Sequence, residues 1–184
     1  GCNDITMTAY PSATVTQIAL TDRTIAQLNQ QMVLVYLGKP HISSAIHQQV
    51  IARFQSTLAA QQLLDPLRSI AHAARITLAQ GDLVAYGVCM QKNTEAQRAL
   101  HPMLISADAD AIIKLAQHHD ALGWKVNGAG GDGGSLVVLC NDNLAQRNRF
   151  VANVQQQLPH VQAIPIHYSP NGVHVTIQSH EAEV

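Results

Sequence analysis

The stretch Lys125–Cys140 constrains this chain most, because it places five of the 11 glycines between two apolar segments. Glycine loses more conformational freedom on folding than any other residue, so a clustered set indicates positive φ or a close approach to the backbone. Val126 before the cluster and residues 136–139 after it have the composition of buried strands. The pattern therefore predicts a rigidly anchored loop whose N–H groups can face an anion. Its glycines are Gly128, Gly130, Gly131, Gly133 and Gly134.

Two interpretations of this loop stay open from the residues alone. A P-loop would need Lys-Ser or Lys-Thr where this chain has Gly134 and Ser135. A Rossmann loop would open a helix, whereas β-branched residues follow this one and predict a strand. The loop is therefore either a wide turn between two strands or a loop that binds a phosphate or another ligand.

Charge and cysteine content exclude several classes of protein. The net charge of -1, with 12% charged residues, offers no basic surface for nucleic acid or an anionic membrane. No apolar run approaches the roughly 20 residues that cross a bilayer. Cys2, Cys89 and Cys140 have no paired spacing, so neither a disulfide framework nor a zinc motif is predicted. We expect a cytoplasmic protein without nucleic-acid or membrane partners, in which Cys89 and Cys140 are small core residues.

Apolar periodicity predicts strands near both ends of the chain and in the middle. Residues 1–20 alternate around a Pro-Ser turn, which predicts an N-terminal hairpin. The apolar run Met32–Leu37 predicts a buried strand, and Ala163–Tyr168 and Val173–Gln178 predict a closing pair around a Pro-Asn-Gly turn. Residues 180–184 are expected to fray.

Helices are predicted between these strands from capping residues and apolar stripes. Strands in hairpins with helices returning to one face predict an α+β two-layer sandwich of one domain, 1–184, with a mainly antiparallel sheet and a helical layer. The predicted helix starts are Thr21, Ser43 or Ser44, Pro66, Asp82, Ser106, and Asn141 or Asp142.

The segment around the glycine loop resembles a known kinase motif. It is similar to the third motif of the galactokinase, homoserine kinase, mevalonate kinase and phosphomevalonate kinase (GHMP) superfamily, in the sugar-kinase branch of heptose-7-phosphate kinases and fucokinase-like enzymes. Asp132 departs from that motif. The matching residues are Ala121, Leu122, Gly123, Lys125, Gly128, Ala129, Gly130, Gly131 and Gly133.

Other segments extend the resemblance from about Asn3 to Ile177. Residues 34–43 resemble the strand and loop Leu-Val-Tyr-Thr-Gly-x-x-Arg-x-Ser of the same branch, with Leu37 and His41 as departures. Asn93, followed by Gln97 and Leu100, also fits the pattern of this kinase branch. The resemblance implies the ferredoxin-like C-terminal domain of such a kinase.

The resemblance also implies what lies outside this sequence. Gly1–Ile5 is similar to the stretch that follows the catalytic Asp, so we expect a C-terminal fragment that continues from an absent N-terminal kinase domain. That domain would supply the phosphate loop and the catalytic base, and would hold most of the ATP and Mg²⁺. We therefore expect no catalytic residue here and no activity of the isolated chain. Its expected partners are ATP, a sugar or sugar phosphate, and that N-terminal domain. A domain separated from such a partner should expose an apolar patch where the partner packed, so a homodimer is also expected.

The resemblance places the loop 128–134 in the active-site cleft. Asp132 either binds Mg²⁺ or a hydroxyl group of the sugar, or is a plain turn residue without a ligand. Lys39 and His41 are candidate substrate contacts, and Lys125 is either a phosphate contact or a structural lysine. No metal site is predicted. A non-catalytic ferredoxin-like module that binds a small anion or a partner is the alternative.

Overall fold

The chain is described here from a computed structural model that covers residues 1–40, 48–53, 62–128, 130–170 and 175–176. Two antiparallel sheets are present among these residues. The smaller sheet is a hairpin of β1 (Asn3–Ala9) and β2 (Ser12–Gln17). The larger has the order β4-β5-β3-β6 and consists of β3 (Met32–Tyr36), β4 (Gly123–Val126), β5 (Ser135–Leu139) and β6 (Gln162–Ile164).

Capping side chains begin three helices where the sequence predicts them. Pro66 lies in the first turn of its helix, as predicted, but no side chain caps that helix. Thr21, Asp82 and Ser106 each accept a hydrogen bond from the backbone N–H three residues on. The predicted cap at Asn141 or Asp142 is wrong, because Asn143 caps the last helix. The helices are α1 (Asp22–Gln31), α2 (Asp65–Gln80), α3 (Leu83–Leu100), α4 (Ala107–His118) and α5 (Leu144–Gln157), with a short 3₁₀ helix at Pro102–Leu104.

The core lies on both faces of the larger sheet, because successive strand residues point to opposite sides. Leu136 and Val138 of β5 are fully buried against Ile112 of α4 and Phe150 of α5. Leu139 faces the other way and joins a smaller cluster with residues of α1, α2 and α3. The predicted α+β fold with an antiparallel sheet and a helical layer is confirmed.

Helix α3 covers the free edge of β4. Gly87 and Gly123 bring the two backbones into direct contact, so that a Cβ on either would meet backbone atoms of the other element. Along the same helix, Gln91 Nε2 donates to the carbonyl of Leu122 at 2.8 Å. Two further side chains continue this row: Thr94 Oγ1 donates to Trp124 O, and Gln97 Nε2 donates to Gly128 O. An exposed row of strand carbonyls is thereby satisfied up to the glycine loop.

Three further sequence predictions need correction or lie outside the described ranges. β6 is shorter than the predicted strand Ala163–Tyr168, and Val175 and Thr176 are not in a strand. The rest of that closing hairpin, and the predicted helix start at Ser43 or Ser44, lie outside the described residues.

The cysteines have the predicted core character. Cys89 and Cys140 are buried, and burial raises the pKa of the Cys140 thiol to about 11. The Cys140 thiol therefore stays in its weakly nucleophilic protonated form at neutral pH. Within the described ranges, every helix is too short or too polar to cross a bilayer.

Candidate functional site

The glycine loop joins β4 to β5 in a backbone conformation that side chains rarely adopt. Gly128 and Gly130 both have a φ of 60°. A Cβ at Gly128 would meet no atom within 4 Å, whereas one at Gly130 would collide with the carbonyl oxygen of Leu104. The expectation of positive φ is confirmed for Gly128, Gly130, Gly131, Gly133 and Gly134, while Ala129 lies outside the described residues.

Two neighbouring segments hold this loop in place. On one side, the N–H of Gly131 donates to the carbonyl of Leu104 in the 3₁₀ helix at 3.0 Å. On the other, Gly134 donates its N–H to Lys39 O at 3.0 Å and accepts from Leu37 N–H at 2.9 Å. The loop is therefore rigidly anchored to the end of β3 and to the segment after α3.

This anchoring uses most of the amides that the sequence suggested for an anion. Besides Gly131 and Gly134, Gly130 donates to Asn127 O and Gly133 donates to Gly131 O. Among the described residues, only the loop amides of Gly128 and Asp132 have no acceptor. The loop can thus present these two N–H groups, rather than a continuous row of donors, to a ligand.

Lys39 and Asp132 meet at the outer edge of the loop. Lys39 Nζ lies 3.5 Å from Asp132 Oδ1, and the two side chains are 55% and 78% exposed. A pair this exposed contributes little to stability, so either partner can exchange it for a ligand at small cost. His41, the other candidate in this segment, lies outside the described residues.

Lys125 occupies the wall between two cavities. One of about 450 Å³ lies under the β1–β2 hairpin, and one of about 350 Å³ reaches Gly128; Asn93 and Lys125 line both. Lys125 Nζ donates to Val126 O at 3.0 Å. Burial lowers the pKa of this lysine. In the described part of the chain no carboxylate pairs with it, so its remaining N–H donors can serve a ligand.

Gln97 is a site residue whose structural role the sequence did not indicate. Its amide nitrogen holds Gly128 O at 3.0 Å, and its Oε1 is buried without a donor among the described residues. The signal was present as polar residues at spacings of three on α3, at Gln91, Thr94 and Gln97. That spacing marks one helix face, but it does not say which backbone the face covers.

The donor set partly fits a nucleotide phosphate with Mg²⁺. The amides of Gly128 and Asp132 and the ammonium groups of Lys39 and Lys125 suit phosphate oxygens, and the Asp132 carboxylate suits Mg²⁺. No group of three or more His, Cys, Asp or Glu side chains that could hold a metal occurs among the described residues.

No protein-family model and no curated protein sequence matches the chain. Solved kinase structures share its fold. L. major mevalonate kinase in complex with R-mevalonate matches with a TM-score of 0.65 and 22% identity, over 84% of this chain and 45% of that one. Streptococcus pneumoniae phosphomevalonate kinase matches with a TM-score of 0.62 and 17% identity, over 83% of this chain and 44% of that one. Lactococcus lactis galactokinase complexed with galactose matches with a TM-score of 0.59 and 14% identity, over 85% of this chain and 48% of that one.

These three kinases are of kinds that give the GHMP superfamily its name. At identities this low, the likeness shows the fold, and the fold that the sequence resemblance implied is confirmed. The chain spans less than half the length of each of these structures.

Proposed function

We propose that this chain is the C-terminal part of an ATP-dependent GHMP kinase that phosphorylates a sugar or sugar phosphate. The observation that carries the proposal is the anchored loop 128–134, whose positive-φ glycines are fixed between the end of β3 and the 3₁₀ helix. The fold shared with mevalonate, phosphomevalonate and galactose kinases supports it independently.

In this proposal the chain stabilises charge and positions phosphate oxygens. When bound, ATP with Mg²⁺ would supply the phosphoryl group and neutralise part of its charge. The N–H groups of Gly128 and Asp132 would donate to phosphate oxygens, and they need no reorganisation because the loop is already fixed. Lys125 would contribute a partly buried positive charge, and Lys39 an exposed one.

The proposal assigns the phosphate loop and the catalytic base to an N-terminal domain that packs on the β1–β2 hairpin. Ile5 and Val15 are cross-strand partners, and Met7 follows on the same face. Their exposed fractions are 65%, 61% and 62%. An apolar face of this kind is typical of a surface that contacts a partner. Sedimentation of the isolated chain would detect a homodimer formed through the same face.

The test uses the longest reading frame that contains this chain. We expect that frame to encode an upstream Gly- and Ser-rich phosphate loop and to release ADP from MgATP with one of a panel of hexoses, heptoses and their phosphates. Lys125→Met should reduce kcat/KM at least about tenfold by removing a phosphate contact. Lys114→Met, at an exposed position of α4, is the matched control and should leave it unchanged.

The isolated chain should give no ADP release above a protein-free control, because catalysis needs the nucleotide, Mg²⁺ and base positioned together. A frame without a phosphate loop, and without turnover of any acceptor, would contradict the proposal. The non-catalytic binding module would then be the better assignment.

A further inference from the structure

The cavity of about 450 Å³ under the β1–β2 hairpin has mainly apolar walls. Leu78 and Met90, which are buried, line it together with the half-buried Ile18 and Ile70. These residues come from α2, α3 and the segment after β2. Cavities of about 300–1,000 Å³ commonly hold small organic ligands in proteins. The walls therefore suit the aliphatic part of such a ligand.

Lys125 brings a positive charge to this cavity. Trp124 and Val126, its neighbours in β4, belong to the core cluster against α4 and α5, so the Lys125 side chain projects from the opposite face of the sheet. Its cross-strand partner Val137 packs on that face against the cluster that contains Met90. The lysine and the apolar wall of the cavity therefore share one face of the sheet.

The charges around the cavity leave this lysine without a counter-ion. Arg75 and Asp4, which also line the cavity, pair with each other at 3.6 Å. Within the described ranges, Lys125 Nζ donates to Val126 O and pairs with no carboxylate. Burial lowers the pKa of Lys125, and no neighbouring charge offsets that effect. An anion that enters the cavity would stabilise the ammonium group.

Asn93 adds a second donor at the same place. It lines this cavity and the smaller one, as Lys125 does. Its side-chain amide has no hydrogen bond in the described part of the chain, and it is not sealed from solvent. Tyr86, which also lines the cavity, lies two turns earlier on the same face of α3. The cavity therefore extends about 10 Å along the helix, a length that suits a medium-chain alkyl group.

We propose that this cavity binds a medium-chain aliphatic carboxylate. The carboxylate would accept hydrogen bonds from Lys125 Nζ and Asn93 Nδ2. The alkyl chain would lie along α3 toward Tyr86, in contact with Met90. A monoanion suits the site better than a phosphate dianion, because Lys125 neutralises one negative charge and Arg75 is already paired. The site needs no nucleotide, so it does not depend on the proposed kinase activity.

Isothermal titration calorimetry of sodium octanoate into the 184-residue chain, without nucleotide, tests this site. We expect saturable binding of one octanoate per chain at millimolar concentrations or below, together with a rise in Tm. Hexanoate, which is two methylene groups shorter, should bind about tenfold more weakly. n-Octylammonium chloride, which has the same tail and the opposite charge, should bind at least about tenfold more weakly than octanoate. Equal binding of octylammonium, octanoate binding that does not saturate, or a fall in Tm would overturn the proposal.

Three variants identify the groups that hold the carboxylate. Lys125→Met keeps an apolar side chain and should weaken octanoate binding at least about tenfold. Lys92→Met is the matched control, an equal charge change at an exposed position of α3 outside this cavity, and should leave the affinity unchanged. Asn93→Leu removes no hydrogen bond of the described chain, should weaken binding about threefold, and decides if Lys125→Met does not fold. Unchanged affinity in Lys125→Met, or an equal loss in Lys92→Met, would refute the assignment.

Discussion

A pair of alanine substitutions can separate backbone strain from close packing in the glycine loop. Gly128 and Gly130 share a φ of 60°, so the two alanine variants have the same conformational strain, roughly 1 kcal/mol. Only at Gly130 would the new Cβ also meet a backbone atom, the carbonyl oxygen of Leu104. The difference in the free energy of unfolding between Gly130→Ala and Gly128→Ala therefore measures the cost of the close approach alone.

The size of that difference follows from the contacts of Leu104. Its carbonyl accepts the Gly131 N–H at 3.0 Å, and a backbone oxygen cannot move aside as a flexible side chain can. Relief of the overlap must displace this bond, which costs about 1–3 kcal/mol. We expect the free energy of unfolding to fall by about 1 kcal/mol in Gly128→Ala and about 3 kcal/mol in Gly130→Ala.

Urea unfolding followed by circular dichroism measures both values, and the Tm should fall by about 3 °C and about 9 °C respectively. Hydrogen exchange of the Gly131 amide should accelerate in Gly130→Ala but not in Gly128→Ala. Equal destabilisation of the two variants would refute the reasoning, because it would mean that the loop yields at Gly130 without cost.

Three further perturbations test other parts of the structure. Burial lowers the pKa of Lys125, so between that pKa and 10.5 the unfolded chain binds more protons than the folded one, and the free energy of unfolding should rise with pH. Lys125→Met should remove this rise in urea titrations from pH 7 to 11. An unchanged rise in the variant would show that Lys125 is not its cause. Gly87→Ala should lower the free energy of unfolding by about 1–3 kcal/mol, measured by thermal unfolding, because the new Cβ would meet Leu122 O. Helix propensity alone predicts the opposite, an increase in stability of about 1 kcal/mol. Asp132→Asn should change the unfolding free energy by less than about 0.5 kcal/mol, because its pair with Lys39 is exposed; a larger loss in urea would show that the pair anchors the loop.

Local features of the fold were predictable because short-range chemistry decides them. Thr21, Asp82 and Ser106 could be identified as caps since a cap bonds an amide only three residues away. The glycine cluster predicted positive φ for the same reason, since the steric limits of φ are set within one residue. The Asn143 cap was missed because three adjacent polar residues, 141–143, can all cap, and only the turn made by Asn141 selects among them.

For most of the described residues, the sequence by itself determined the helices, the strands and the positive-φ loop, through periodicity and backbone sterics. Only the tertiary structure decided which residues meet. Lys39 and Asp132 come together because β3 and β5 pair antiparallel, with Tyr36 opposite Ser135, and no local pattern contains that register. The same packing assigns the Gly131 amide to Leu104 rather than to a ligand. Contacts between distant segments depend on how every element packs, so residue patterns could propose the loop as a site but not count its free donors.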